Sequence, residues 1–117
     1  MPYDFQLHEA KKKARKKLKW WLNGVEESQV SVLGIVFHGG YESVMRLDAA
    51  RRLTIEGGGT TVDFTDVNNI PHTLSLADAK TVCLTIGSDY QAKFAQKQAW
   101  SIQIDNATTI AGLPTIV

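Results

Sequence analysis

Seven of the thirteen basic residues of this 117-residue chain lie in one stretch, KKKARKKLKWW, between Lys11 and Lys19, and two tryptophans follow at once. Clustered lysines release counterions from phosphates, and an aromatic among them can stack on a base. On a helical wheel at roughly 100° per residue, Trp20 falls between Lys16 and Lys13. Lys12, Lys13, Lys16 and Trp20 are therefore the candidate contacts for nucleic acid or for a protein. An exposed tryptophan among lysines more often marks a protein interface or a cation–π contact than a stacking platform.

Other residues that could do chemistry lack the company they need. FHGG, residues 37 to 40, has the glycines of an oxyanion-hole loop. That loop works only with a nucleophile, and no G-x-S-x-G occurs in the chain. A glycine turn between a strand and a helix is the better reading. His8, His38 and His72 are not paired at helical spacing, and a zinc site needs closer grouping. Cys83, the single cysteine, reads as a small buried side chain and cannot form an internal disulfide. The phosphate-binding patterns G-x-x-x-x-G-K and G-x-G-x-x-G are both missing. We therefore expect no catalytic residue, no metal and no cofactor.

The elements that carry these residues are legible from periodicity. Over residues 7 to 22, Leu7, Ala10, Ala14, Leu18, Trp21 and Leu22 fall within about 120° of the wheel, a core-facing stripe. Lys11 lies at its seam. Asp4 is a fitting start, and Asn23-Gly24 is the predicted end. QVSVLGIVFHGG, split by Gly34, predicts a short hairpin or one bent strand. Residues 42 to 56 predict a second helix with Val44, Leu47, Ala50 and Leu53 inward, stopped by Gly57-Gly58-Gly59. TTVDFT and IPHTLSL predict two strands around an Asp66–Asn69 turn, with Pro71 at an edge or a strand start.

The last element is the longest. Ser75 and Asp78 have capping-box spacing ahead of an apolar-periodic run. Leu76, Ala79, Val82, Cys83, Ile86, Tyr90 and Phe94 share one arc, with Trp100 and Ile104 at its edge. A second, thinner line joins Leu84, Ala95 and Ile102. A helix from there to about residue 105 is ~45 Å long at 1.5 Å per residue, longer than the ~35 Å diameter of a compact domain this size. Either Gly87-Ser88 bends it, or the second line packs on another subunit. Leu84, Ala95 and Ile102 are thus the candidate oligomer interface.

The predicted fold class is α+β: three helices, the last one long, packed on a small antiparallel sheet or two hairpins. Length and composition suit a single domain over residues 1–117. No apolar run reaches the ~18 to 20 residues of a membrane span, and the N-terminus has no apolar signal-peptide core. These features predict a soluble protein made in the cytoplasm. The net charge of +1 hides an asymmetry. Residues 1 to 19 hold seven basic and two acidic side chains, whereas residues 20 to 117 hold six and ten. A split of this kind suits a basic arm on an acidic polymer, two attracting halves of one fold, or attracting subunits.

Four stretches, in order, resemble a family of small domains in bacteriophage and prophage tail proteins, often at the C-terminus of tail-fibre-like chains. They are AKKKARKKLKWWLNGVEES, VLGIVFHGGYESVMRLDAA, VDFTDVNNIPHTLSLADAKTVCLTIG and a lysine-containing helix ending QIDNATTIAGL. The likeness runs over residues 8 to 113, and it rests on the order of the pieces more than on any single motif. It implies a virion-associated or prophage-encoded α+β module with no known enzymatic activity, partnered by other tail proteins and by copies of itself. The family supplies no catalytic residues to carry over. The chain is far shorter than a fibre, so a separate small tail component, an accessory protein or a remnant in a bacterial genome is expected. The alternative function is a small nucleic-acid-binding accessory protein that uses the basic helix.

Overall fold

A computed structural model describes residues 3–116 of the chain. Three helices and two separate two-stranded antiparallel sheets make up the architecture. In chain order they are α1 (Phe5–Glu26), β1 (Gln29–Val32), β2 (Ile35–His38), α2 (Tyr41–Glu56), β3 (Thr61–Thr65), β4 (Pro71–Ser75), α3 (Leu76–Asn106) and a 3-10 turn, Ile110–Gly112. The expected α+β class is what folds, and of the two sheet arrangements it is the two hairpins. The chain divides into two compact units, residues 25–91 and residues 1–24 with 92–117.

The unit of residues 25–91 holds both hairpins, α2 and the first part of α3. Its core gathers Val32, Phe37, Leu47, Val62, Phe64, Leu74, Ala79, Val82, Cys83 and Ile86. Phe37 from the first hairpin meets Phe64 from the second edge-to-face, ring centroids 6.4 Å apart at 89°. That geometry suits the quadrupoles of two aromatic rings. Alternation explains both hairpins. Val62, Phe64 and Leu74 point inward, and their neighbours Thr61, Asp63, Thr65 and Thr73 are exposed.

Each hairpin has its own turn chemistry. The first places Val32 opposite Ile35 and turns through Leu33 and Gly34, at φ +55° and +75°. Two positive φ values are what a two-residue type I′ turn demands, and its twist matches the strands. Glycine meets that demand without cost, while Leu33 meets it with its side chain in solvent.

The second turn is held by one carboxylate. Asp66 Oδ1 accepts the amide hydrogens of Asn68 and Ile70 at 2.8 and 3.0 Å, and Oδ2 lies 2.8 Å from His72 Nε2. An ionised carboxylate can only accept, so His72 must carry its proton on Nε2 here. The His72 bond above all, then the amides, hold the Asp66 carboxyl below its ordinary 3.8. A pKa lower in the folded chain than in the unfolded one adds stability above the unfolded value. That stability disappears as pH falls through the folded value. We therefore expect urea midpoints of the wild type to fall more between about pH 5 and about pH 2 than those of Asp66→Asn. Parallel declines in the two proteins would show that the carboxylate does not hold the turn.

α2 begins where β2 ends. Gly40 sits at φ +89°, and a Cβ there would lie 2.8 Å from the Glu26 Cα, so this position requires glycine. The Tyr41 amide at the helix start donates to both oxygens of Glu26, each at 3.1 Å. The carboxylate thus meets the positive end of the helix dipole. Leu53, expected inward, is 69% exposed. Val44, Leu47 and Ala50 are the apolar residues of α2 in or against the core, and Leu53 lies past the last of them.

The unit of residues 1–24 and 92–117 is built from most of α1, the rest of α3 and the C-terminal segment. Among the described residues Leu18, Ile104 and Ile116 are its buried cluster, with Ala14, Trp21, Trp100 and Leu113 packed on them. The Trp21 and Trp100 rings meet edge-on at 4.9 Å. Asp4 caps α1 as expected, its Oδ1 accepting the Leu7 amide at 2.9 Å. The end differs from expectation, because α1 runs through Asn23 and Gly24 to Glu26. Glycine inside a helix costs about 0.5–1 kcal/mol. Burying the Val25 side chain, which is 5% exposed, contributes about 1.5–3 kcal/mol. Burial therefore wins over the glycine stop signal.

Candidate interaction surfaces

The basic face of α1 is built by elimination. The stripe Leu7, Ala10, Ala14, Leu18, Trp21 and Leu22 is the buried or half-buried side of the helix. Over residues 5 to 24 every other side chain is pushed outward except Glu9 and Lys11, which are half-buried. Two of the seven cations there serve the fold. Arg15 Nη2 lies 3.0 Å from Asp105 Oδ1, and Lys11 Nζ donates to the Asp105 carbonyl at 3.2 Å. Lys12, Lys13, Lys16, Lys17 and Lys19 are exposed, with no ion pair among the described residues.

Trp20 is 65% exposed, and Lys16 Nζ stands 5.4 Å from its ring centroid. The structure therefore brings together Lys16 and Trp20, and leaves Lys12 and Lys13 beside them on the same open face. A cation already over the indole competes with a stacking base for that side of the ring.

The second candidate surface lies on α3, which is helical without a break across Gly87 and Ser88. Leu84 and Ile102 are each 60% exposed, and Ala95 is exposed as well. Leu84 belongs to the 25–91 unit, and Ala95 and Ile102 belong to the other. Phe94, read as part of the main arc, is at the margin of exposure.

Sequence reasoning missed the polar clefts of the 25–91 unit. One of about 380 Å³ is lined by His38, Arg46, Asp63, Phe64, Asp66 and Asn69 among others. Its two carboxylates are engaged in structure. Asp63 accepts the Thr73 hydroxyl at 2.7 Å, and Asp66 holds the turn. The D-V-N-N spacing signals such a turn, but nothing local in the sequence pairs Asp66 with His72. Gly39 and Gly40 make the expected connection from strand to helix, with the Gly39 amide donated to the Ser28 carbonyl at 2.7 Å. The Cys83 thiol is buried, and burial raises its pKa above the ordinary value, so it is kept protonated. Among the described residues no group of three His, Cys, Asp or Glu could hold a metal ion. No helix of these residues is long and apolar enough to cross a membrane.

A family model described as a domain of unknown function, DUF4376, matches residues 9–115. The chain belongs to DUF4376. No curated protein and no solved structure matches it. The match takes in both units of this DUF4376 chain, the basic helix and nearly all of the C-terminal segment.

Proposed function

We propose that this chain is a non-enzymatic structural module of a phage or prophage tail, made in the bacterial cytoplasm and carried in the particle. It works through protein contacts, with other tail proteins and with copies of itself. The observation that carries this reading is the exposure of Leu84 and Ile102 on α3. Large apolar side chains left in water along a helix favour a protein partner over solvent. The resemblance to tail-associated domains over residues 8 to 113 supports the particle as the setting.

Particle composition tests this reading. Particles released by the encoding phage or induced prophage are banded on a density gradient and analysed by mass spectrometry. The chain should band with the tail proteins, in several copies per particle. Its confinement to the unassembled protein at the top of the gradient would contradict a tail role.

A further inference from the structure

The two compact units carry opposite charge. Residues 1–24 and 92–117 hold nine basic and three acidic side chains, a balance of +6. Residues 25–91 hold four basic and nine acidic ones, a balance of −5. The near-neutral total therefore conceals two strongly charged objects in one chain. On the basic unit, the charge is concentrated on the open face of α1, at Lys12, Lys13, Lys16, Lys17 and Lys19. On the acidic unit, Glu27, Glu42, Glu56 and Asp78 are exposed, and none forms an ion pair among the described residues.

We infer that the basic face of α1 is an interface for a second copy of this chain, docking on the acidic 25–91 unit of that copy. Each copy offers a basic face and an acidic unit, so the contact is heterologous: it closes into a ring or extends as a stack. Complementary charge speeds and orients such encounters more than it tightens them. Trp20 gives the face an apolar anchor. With Lys16 over its ring it suits a protein surface better than a stacked base, which favours a second copy over nucleic acid as the occupant. The inference shares a partner with the self-association proposed above, but uses a different contact with a different dependence on salt.

That difference decides the experiment. In a parent carrying Leu84→Ser and Ile102→Ser, which removes the apolar contact without adding charge, two reversed variants are made. One carries Lys12→Glu, Lys13→Glu and Lys16→Glu; the other carries Glu27→Lys, Glu42→Lys and Glu56→Lys. Masses are read by light scattering at about 10 mM and about 1 M salt, where the screening length falls from about 30 to about 3 Å. The parent should exceed the 12.9 kDa of one chain at low salt and return to it at high salt. Each reversed variant alone should stay monomeric, and their equimolar mixture should associate at low salt, which also shows that both are folded. A parent mass indifferent to salt would overturn the inference, and so would a mixture no heavier than its components. Tight oligonucleotide binding by the parent at about 0.15 M salt, lost on α1 reversal, would assign the face to nucleic acid and overturn it too.

Discussion

Phe64→Ala should lower the stability of the chain by about 3 to 5 kcal/mol, the usual cost of emptying a phenylalanine site in a core that cannot collapse. Phe64 is 1% exposed and packs edge-to-face on Phe37, so both transfer energy and ring contact are lost together. It also stands two residues before Asp66, which locks the following turn, so β3 cannot shift to fill the space without breaking that lock. Urea denaturation followed by circular dichroism measures the loss. A cost near that of an exposed substitution, within about 0.5 kcal/mol, would show that the two hairpins do not share a core.

Leu18→Ala comes next in size, at about 2 to 5 kcal/mol for a buried leucine. Leu18 is the α1 residue that packs with Ile104 and Ile116 at the centre of its unit. Single Lys→Gln changes at Lys12, Lys13 or Lys16, all exposed, should shift stability by less than about 0.5 kcal/mol. The contrast separates a scaffold stripe from a solvated face on one helix. Thermal melts with the reverse order would contradict the assignment of the two faces.

Legibility in the sequence followed the strength of local rules. The α1 stripe was readable because six apolar positions repeat at helical spacing across lysines, and burial at Leu18 and Trp21 follows that pattern. The Ser75 cap was readable from its spacing, and its hydroxyl accepts the Asp78 amide at 3.1 Å. The end of α1 was not, since a glycine stop is a local preference and the burial of Val25 is a property of the folded chain. Glu26 illustrates the same limit: nothing near it in the chain announces that it caps α2, fifteen residues on. Leu53 misled because periodicity marks which side of a helix is apolar, but not how far along that side the core extends. Among the candidate surfaces, the lysine face and the spare line on α3 were legible as positions. The coupling of Lys16 to Trp20 and the engagement of Arg15 with Asp105 depend on side-chain reach and on tertiary structure.

Self-association through the spare line of α3 is the claim on which the functional reading stands, and the mass of the chain in solution tests it most directly. Light scattering on the wild type and on Leu84→Glu with Ile102→Glu, at about 0.15 M salt, gives the comparison. Charges placed on an apolar contact should abolish it, while two exposed positions tolerate them in the folded monomer. We expect the wild type to weigh more than one 12.9 kDa chain, and the double variant to be a folded monomer with an unchanged circular dichroism spectrum. A wild type that stays monomeric at high concentration, with a double variant that unfolds, would mean that Leu84 and Ile102 belong to the chain's own core and that the proposed contact does not exist.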